Sequence, residues 1–304
     1  MLIDDSRTAS NGGLYASTVL IWGSTWYAIK FQLGVVHPIV SVAYRYVIAA
    51  AVLLAFCYYT RRGLRFTLRD HVGIAAQGTF LFSLNYIVFY IAAAYITSGL
   101  MALAFSTILL MNMLNGAMLF GFPVSGKVLA GAALGLAGIG LVFLPELRSV
   151  DASRGTLIGV GLSFFATYLA SLGNMGSVYT QRRGLPVVQT NALGMAYGAV
   201  IALVVSGVAA ATGRLEFAFD ASLPYVVSLV YLAVFGSVLA FGCYLTLLGR
   251  IGADRAAYAT VLFPVVALAI STVFEGYRWT GPALAGTGLI LIGNFIVLRA
   301  KSAN

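Results

Sequence analysis

The 304-residue sequence predicts an all-α integral membrane protein whose ten transmembrane helices form a 5+5 inverted repeat around a central cavity. Three observations predict this fold: the apolar composition, the spacing of the charged residues and an internal repeat. Hydrophobic residues make up 61% of the chain and charged residues only 9%, whereas soluble domains carry about 25% charged residues. A chain of this composition cannot cover its surface with polar groups in water, so the lipid bilayer is its expected solvent.

Long apolar stretches separate the charged residues. Between Asp70 and Lys127 lie 56 residues without a charge, and the chain has seven shorter uncharged gaps. A transmembrane helix needs about 20 apolar residues, so each shorter gap fits one helix and the longest fits two. A further helix contains Arg45, and barrel strands are excluded because they alternate apolar and polar residues. The predicted helices span residues 13–32, 38–59, 72–95, 98–120, 126–144, 156–180, 187–211, 223–248, 256–275 and 281–299.

Lys and Arg in the loops predict the orientation of the chain. If the N-terminus lies inside, the inner segments carry twelve of these residues and the outer loops carry four. Cytoplasmic loops are enriched in Lys and Arg. The sequence therefore predicts a multi-pass protein of a bacterial inner membrane, with both termini in the cytoplasm.

The two halves of the chain are related by a repeat. Shifting residues 98–144 by 155 positions places them on 253–299 without a gap, and Gly121 and Gly138 then match Gly276 and Gly293. The predicted single domain, 1–304, thus contains two five-helix repeats, 13–144 and 156–299. Because five is odd, the second copy enters the membrane from the opposite side. Inverted repeats are typical of transporters with a substrate site near the midplane, although duplication for stability alone is the alternative.

This layout resembles the drug/metabolite transporter superfamily, in particular its EamA-type members. The features that carry the resemblance are Trp22-Gly23-Ser24 in helix 1, Pro38 and Arg45 in helix 2, and Glu275-Gly276 and Pro282 near the end of helix 9. One departure is Phe120, since the family often has Glu at the end of helix 4. The aromatic-rich helices are most similar to the aromatic amino-acid exporters of the family. The resemblance implies export of aromatic or hydrophobic amino acids by alternating access.

Aromatic and amide side chains inside the helices are the candidate substrate-binding residues. Trp22 and Trp26 share one face of helix 1 at spacing i, i+4, as do Phe82, Tyr86 and Tyr90 on helix 3. Core packing explains such stripes about as well as a pocket does, but buried amides are costly in lipid unless they are hydrogen-bonded. The candidate residues are Trp22, Trp26, Phe82, Asn85, Tyr86, Tyr90, Asn112, Tyr168, Asn174, Tyr244 and Tyr258.

Three charged residues inside the helices are candidates for a gate or for a structural role. Lys30, Arg45 and Glu275 all fall in the outer part of the membrane when the N-terminus is inside. We expect Lys30 or Arg45 to pair with Glu275 in one conformation and to lose that pair in the other, although Lys30 could instead snorkel to the interface. Pro264 removes a backbone hydrogen bond in helix 9, which favours a hinge or a passive kink.

Other classes of function find less support in the sequence. Residues 121–127 match the first seven positions of a P-loop, but Val128 stands where Ser or Thr is required and no strand precedes it. We expect no nucleotide, no nucleic acid, no cofactor, no metal site and no catalytic residues, and hence no enzyme. The expected partners are a small-molecule substrate and the lipid bilayer. Exporters of nucleosides, organic cations or other drug-like metabolites remain open, as does a non-transporting helical scaffold.

Reporter fusions test the predicted topology. Fusions after Asn304 and near Arg65 should report a cytoplasmic location, and fusions near Asp151 a periplasmic one, because of the Lys and Arg distribution. Alkaline phosphatase and green fluorescent protein fusions in whole cells measure this directly. An external C-terminus would imply an odd number of helices and contradict the inverted repeat.

Overall fold

The computed structural model describes residues 11–121, 126–148, 154–251 and 259–301, and this part of the chain forms ten helices and no strand. The helices are α1 (Asn11–Ala28), α2 (Pro38–Tyr59), α3 (Leu68–Ala92), α4 (Ser98–Phe120), α5 (Gly126–Arg148), α6 (Arg154–Arg182), α7 (Val187–Ala211), α8 (223–251), α9 (Ala259–Phe274) and α10 (Gly281–Lys301).

The described helices include six that are long and apolar enough to cross a membrane by themselves. These are α2, α3, α4, α6, α7 and the first 22 residues of α8, and shorter apolar stretches occur in α5, α9 and α10. The predicted all-α fold of apolar membrane helices is therefore confirmed.

Several helix ends differ from the sequence prediction by a few residues, and two of them have a clear local cause. Helix α3 begins at Leu68, four residues before the predicted start, because Thr67 and Asp70 form a reciprocal cap. The Thr67 hydroxyl accepts a hydrogen bond from the Asp70 amide (3.3 Å), and the Asp70 carboxylate accepts one from the Thr67 amide (3.1 Å). Helix α1 ends at Ala28 and continues as one tighter turn, Ile29–Gln32. A hydropathy pattern does not reveal the start of α3, because its capping residues Thr67 and Asp70 are polar.

Irregular turns occur at matching levels of the two repeats. Helix α3 widens over Phe80–Leu84 and α8 over Tyr231–Leu239. The 155-residue shift places 80–84 on 235–239, inside the wide stretch of α8. Helix α4 is likewise interrupted between Phe105 and Ile108. Its counterpart α9 contains the buried Pro264 near the equivalent position.

Glycines hold α5 against α10. These two helices pack closely together, as do α2 and α7, so helices that the repeat relates are neighbours. A Cβ atom at Gly138 would lie only 2.5 Å from the backbone oxygen of Gly286, and one at Gly293 would meet the backbone oxygen of Gly131. The repeat shift turns the first contact into the second. This reciprocal glycine packing fits lipid, where helices associate through close backbone approach.

The remaining helices surround the centre of the bundle. Helix α1 packs against α8 and α9, and its counterpart α6 packs against α3 and α4. Exchange of the two repeats converts one set of contacts into the other. Side chains from α1, α3, α4, α6, α8 and α9 therefore face one shared interior.

Substitution of Gly138 by Ala tests the α5–α10 contact. The added methyl group meets a backbone oxygen that cannot rotate away, so the free energy of unfolding should fall by about 1–3 kcal/mol, as is typical of overpacking. Thermal unfolding in detergent measures the change. Gly140→Ala is the matched control, because nothing lies within 4 Å of its added Cβ, and equal melting temperatures for the two variants would contradict the packing.

Candidate functional site: a central cavity

A cavity of about 260 Å³ lies between the two repeats. Its lining is largely aromatic and aliphatic, with three amides and one arginine as its most polar groups. The lining residues are Trp22, Thr25, Trp26, Ile29, Arg45, Leu81, Asn85, Tyr86, Phe89, Phe105, Ile108, Leu109, Asn112, Asn174, Phe241, Tyr244 and Phe263. They come from α1, α2, α3, α4, α6, α8 and α9, so both repeats contribute to the same site.

The structure brings seven of the candidate substrate-binding residues together in this lining. These are Trp22, Trp26, Asn85, Tyr86, Asn112, Asn174 and Tyr244. Arg45, which the sequence suggested for a gate, lines the cavity as well. Aromatic and amide residues at the middle of the predicted helices therefore converge, although they are far apart in sequence.

Four other candidates are not part of the lining. Phe82 is fully buried, and its ring packs against Tyr46 and Phe241 at centroid distances of 5.7 Å. Phe82 and Tyr86 both contact the ring of Tyr46, but of these two only Tyr86 lines the cavity. Tyr90 is fully buried, whereas Tyr168 is 42% exposed on the outside of the bundle. The remaining candidate, Tyr258, lies outside the described residues.

Two tryptophans organise the aromatic part of the lining. The indole of Trp22 contacts Phe241 edge-on and Tyr244 at a tilt, both at 5.3 Å, and its Nε1 donates to the backbone oxygen of Gly236 (3.3 Å). Trp26 contacts three phenylalanines, Phe89, Phe105 and Phe263, at 5.0–6.3 Å. Such edge and tilted contacts fix ring orientation beyond simple burial. The sequence did not single out these phenylalanines, because lipid-facing phenylalanines look the same in a continuous apolar run.

The buried amides fall into two groups. Asn115 donates to Ser171 (2.8 Å) and Asn191 accepts from Gln77 (2.7 Å), so these amides join helices away from the cavity. The cavity amides differ. Asn174 donates to Asn112 (3.2 Å), which links α6 to α4. Asn85 is 2% exposed, and its Oδ1 has no hydrogen-bond partner among the described residues.

Arg45 is the most deeply buried charged group of the site, with 1% of its surface exposed. Its Nε donates to the hydroxyl of Ser237 (3.2 Å), and its guanidinium carbon lies 4.3 Å from the ring centroid of Tyr86 and 5.4 Å from that of Tyr46. A guanidinium over an aromatic face is attracted by the ring quadrupole. Within the residues that the structure describes, no carboxylate forms an ion pair with Arg45.

Lys30 makes the ion pair with Glu275. Its Nζ lies 3.7 Å from the Glu275 carboxylate and donates to the backbone oxygens of Ala93 and Ile96. Glu275 accepts hydrogen bonds from the amide (3.0 Å) and the hydroxyl of Ser98. The cation thus covers carbonyl groups at the end of α3, and the anion covers the start of α4, as the helix dipoles favour. This cluster ties α1, α9 and the α3–α4 turn together, and we call it the Lys30 end of the bundle.

At the end of the bundle opposite Lys30, a cation–π contact and a second ion pair hold the helices together. The guanidinium carbon of Arg182 lies 5.1 Å from the ring centroid of Phe120, at the ends of α6 and α4. Beside it, Arg183 donates to the carboxylate of Asp70 (2.6 Å). The repeat shift places Phe120 on Glu275, so an aromatic ring stands here where the Lys30 end has a carboxylate. Sequence reasoning did not identify Ser98, Arg182 or Arg183, because basic residues near loops indicate only the orientation of the chain and a serine at a helix start does not reveal its partner.

A bundle of apolar helices, packed by repeat-related contacts around a cavity to which both halves contribute, has the architecture of membrane transporters built from internal repeats. The chain belongs to the EamA-like transporter family, whose model matches residues 13–144 and 155–299. The family is one of transporters, so the resemblance to EamA-type carriers and the expectation of a transporter rather than an enzyme are confirmed.

Curated relatives extend over nearly the whole chain. A probable amino-acid metabolite efflux pump of Escherichia coli (strain K12) is 28% identical over 290 residues, covering 94% of each chain. An uncharacterized inner membrane transporter of the same strain is also 28% identical, covering 95% of this chain and 90% of its own. One crystal structure superposes with a TM-score of 0.66 over 96% of this chain and 97% of its own, at 18% identity, which shows a common fold.

Replacement of Glu275 by Ala tests the cluster at the Lys30 end. The change leaves the Ser98 amide and Lys30 without their anionic partner, so the free energy of unfolding should fall by about 1.5–3 kcal/mol, the range for hydrogen bonds to charged groups. Thermal unfolding in detergent measures this loss. Glu216→Ala, at an exposed loop position, is the control and should be neutral. If both variants unfold at the wild-type temperature, the cluster does not hold the three helices together.

Proposed function

We propose that this protein exports aromatic or other hydrophobic amino acids across a bacterial inner membrane by alternating access. The central cavity, with aromatic rings and amides from both repeats, is the observation that carries the proposal. In this proposal residues 13–144 and 156–299 are the two halves that move against each other. The substrate binds between them, near the middle of the membrane.

The chemistry of the lining supports a substrate with an apolar body and a small polar head. Trp22, Trp26 and Phe263 offer large apolar faces, and aromatic rings also attract an ammonium group. Asn85, Asn112 and Asn174 supply a few hydrogen-bonding groups within this apolar surface. Ligand sites generally combine such a lining with a few placed polar groups. The E. coli relative, a probable amino-acid metabolite efflux pump, agrees with this class.

The proposed gates lie at the two ends of the cavity. With both termini in the cytoplasm, the Lys30 end faces the periplasm, and the Lys30–Glu275 pair is the outer gate that this conformation keeps closed. The contact between Arg182 and Phe120 belongs to the inner gate. Pro264 in α9 and the interruption of α4 at Ser106 and Thr107 are the proposed hinges, because a missing backbone hydrogen bond lets a helix bend.

Transport by purified protein in liposomes tests the proposal. Labelled tryptophan or phenylalanine should enter faster than into protein-free liposomes. Trp22→Ala and Tyr86→Ala should each lower the initial rate at low substrate about 10-fold, since loss of contact with one aromatic ring removes about 1.5 kcal/mol of binding energy. Asn85→Ala should slow transport as well.

Tyr59→Ala is the matched control, because Tyr59 is 81% exposed at the end of α2, far from the cavity. Size-exclusion profiles and thermal unfolding establish that each variant is folded. Folded protein that moves nucleosides or organic cations but no amino acid would show that the substrate class is wrong. Folded protein that moves none of these compounds would favour a non-transporting scaffold.

A further inference from the structure

Arg45 is a buried cation with an open hydrogen-bonding position. Ser237 accepts from its Nε, Tyr86 covers one face and Tyr90 also lies beside the guanidinium, but Nη1 is fully buried and has no hydrogen-bond partner among the described residues. Arginine stays protonated in proteins. Burial of a charge costs several kcal/mol when no opposite charge lies beside it, and the hydrogen bond to Ser237 and the aromatic ring of Tyr86 supply no opposite charge. Because Arg45 lines the cavity, its guanidinium lies beside the space that an anion in the cavity would occupy.

Asn85 leaves the complementary group open in the same cavity. Its Oδ1 is a buried acceptor without a partner in the described part of the chain, and Asn85 also lines the cavity. The cavity thus offers an unsatisfied donor with full positive charge and an unsatisfied neutral acceptor. The rest of the lining is mostly aromatic. An α-amino acid carries the three matching parts: a carboxylate, an ammonium group and an apolar side chain.

We infer that Arg45 binds the substrate carboxylate and that the Asn85 Oδ1 accepts a hydrogen bond from the substrate ammonium group. This inference rests on the proposed function, because it takes the cavity as the transport site. Arginine suits the first role, since its planar donors match both oxygens of a carboxylate. An organic cation without a carboxylate would leave Arg45 unpaired and would place a second positive charge beside it. The site therefore selects zwitterions and carboxylates over amines.

Equilibrium binding of three related ligands tests the inference. L-Phenylalanine has both head groups, 3-phenylpropanoate lacks the amine, and 2-phenylethylamine lacks the carboxylate. Isothermal titration of the detergent-solubilised wild-type protein should show binding of the first two compounds. The amine should bind on the order of 10- to 100-fold more weakly than L-phenylalanine, the range for one hydrogen bond to a charged group.

The variant Arg45→Gln distinguishes binding of the substrate carboxylate by Arg45 from a purely structural role of this residue. If Arg45 binds the carboxylate, the variant should bind L-phenylalanine on the order of 10- to 100-fold more weakly and 2-phenylethylamine at least as well as before, so that the preference disappears. A purely structural role would weaken all three ligands together. Arg45→Lys should restore part of the preference, because it keeps the charge but not the paired donors. Arg65→Gln is the matched control, since Arg65 is exposed in the α2–α3 loop, and it should leave binding unchanged.

The outcomes distinguish this inference from the proposed function. Equal binding of 2-phenylethylamine and L-phenylalanine by the wild type would overturn the role of Arg45, even if liposomes still transport amino acids. A folded Arg45→Gln variant that keeps the carboxylate preference would overturn it too. If that variant does not fold, the wild-type comparison decides alone. If none of the three ligands binds, the inference is wrong, and the liposome assay decides the proposed function separately.

Discussion

Lipid provides neither hydrogen-bond partners nor a hydrophobic force between helices, and the structure follows from these two constraints. Every backbone group must be satisfied within the protein, which leaves helices as the only elements for continuously apolar runs. The helices then associate by close approach, as at Gly138 and Gly286, and by amide pairs such as Asn115 with Ser171. Eleven buried side-chain polar atoms of the described residues have no hydrogen-bond partner, and two of them, on Arg45 and Asn85, belong to residues that line the cavity.

The two ends of the bundle show how a duplicated fold becomes asymmetric. One end is held by a lysine–glutamate pair that also covers two helix termini. The other is held by Arg182 against the ring of Phe120 and, beside it, by the ion pair of Arg183 with Asp70, so the repeat-related positions Phe120 and Glu275 close the two ends by different interactions. Identical ends would give a symmetric energy profile for opening inward and outward. Different ends allow one conformation to be preferred.

Much of the fold could be predicted from sequence because charge is so costly in lipid that its spacing marks the helices. The start of α3 was missed, since its cap depends on the polar pair Thr67 and Asp70 outside the apolar run. The cavity was predictable only in part. Trp22 and Asn85 stand out as polar or amphipathic groups at membrane depth, whereas Phe263 looks like any lipid-facing phenylalanine. Whether such a ring faces lipid or the interior is decided by tertiary packing, which one sequence does not reveal.

The wide turn at Phe80–Leu84 rotates the second half of α3 about the helix axis relative to the first half. In a regular helix each residue advances by about 100°, so a locally wider turn changes the direction in which all later side chains point. Residues before it, such as Gln77, face the helix-joining amide network, and residues after it, such as Asn85 and Phe89, face the cavity. Removal of a single residue from this stretch would restore a regular helix and rotate the second half of α3 relative to the first. The register of the site therefore depends on the residue count of this stretch as much as on residue identity, and insertions or deletions here are more disruptive than most substitutions.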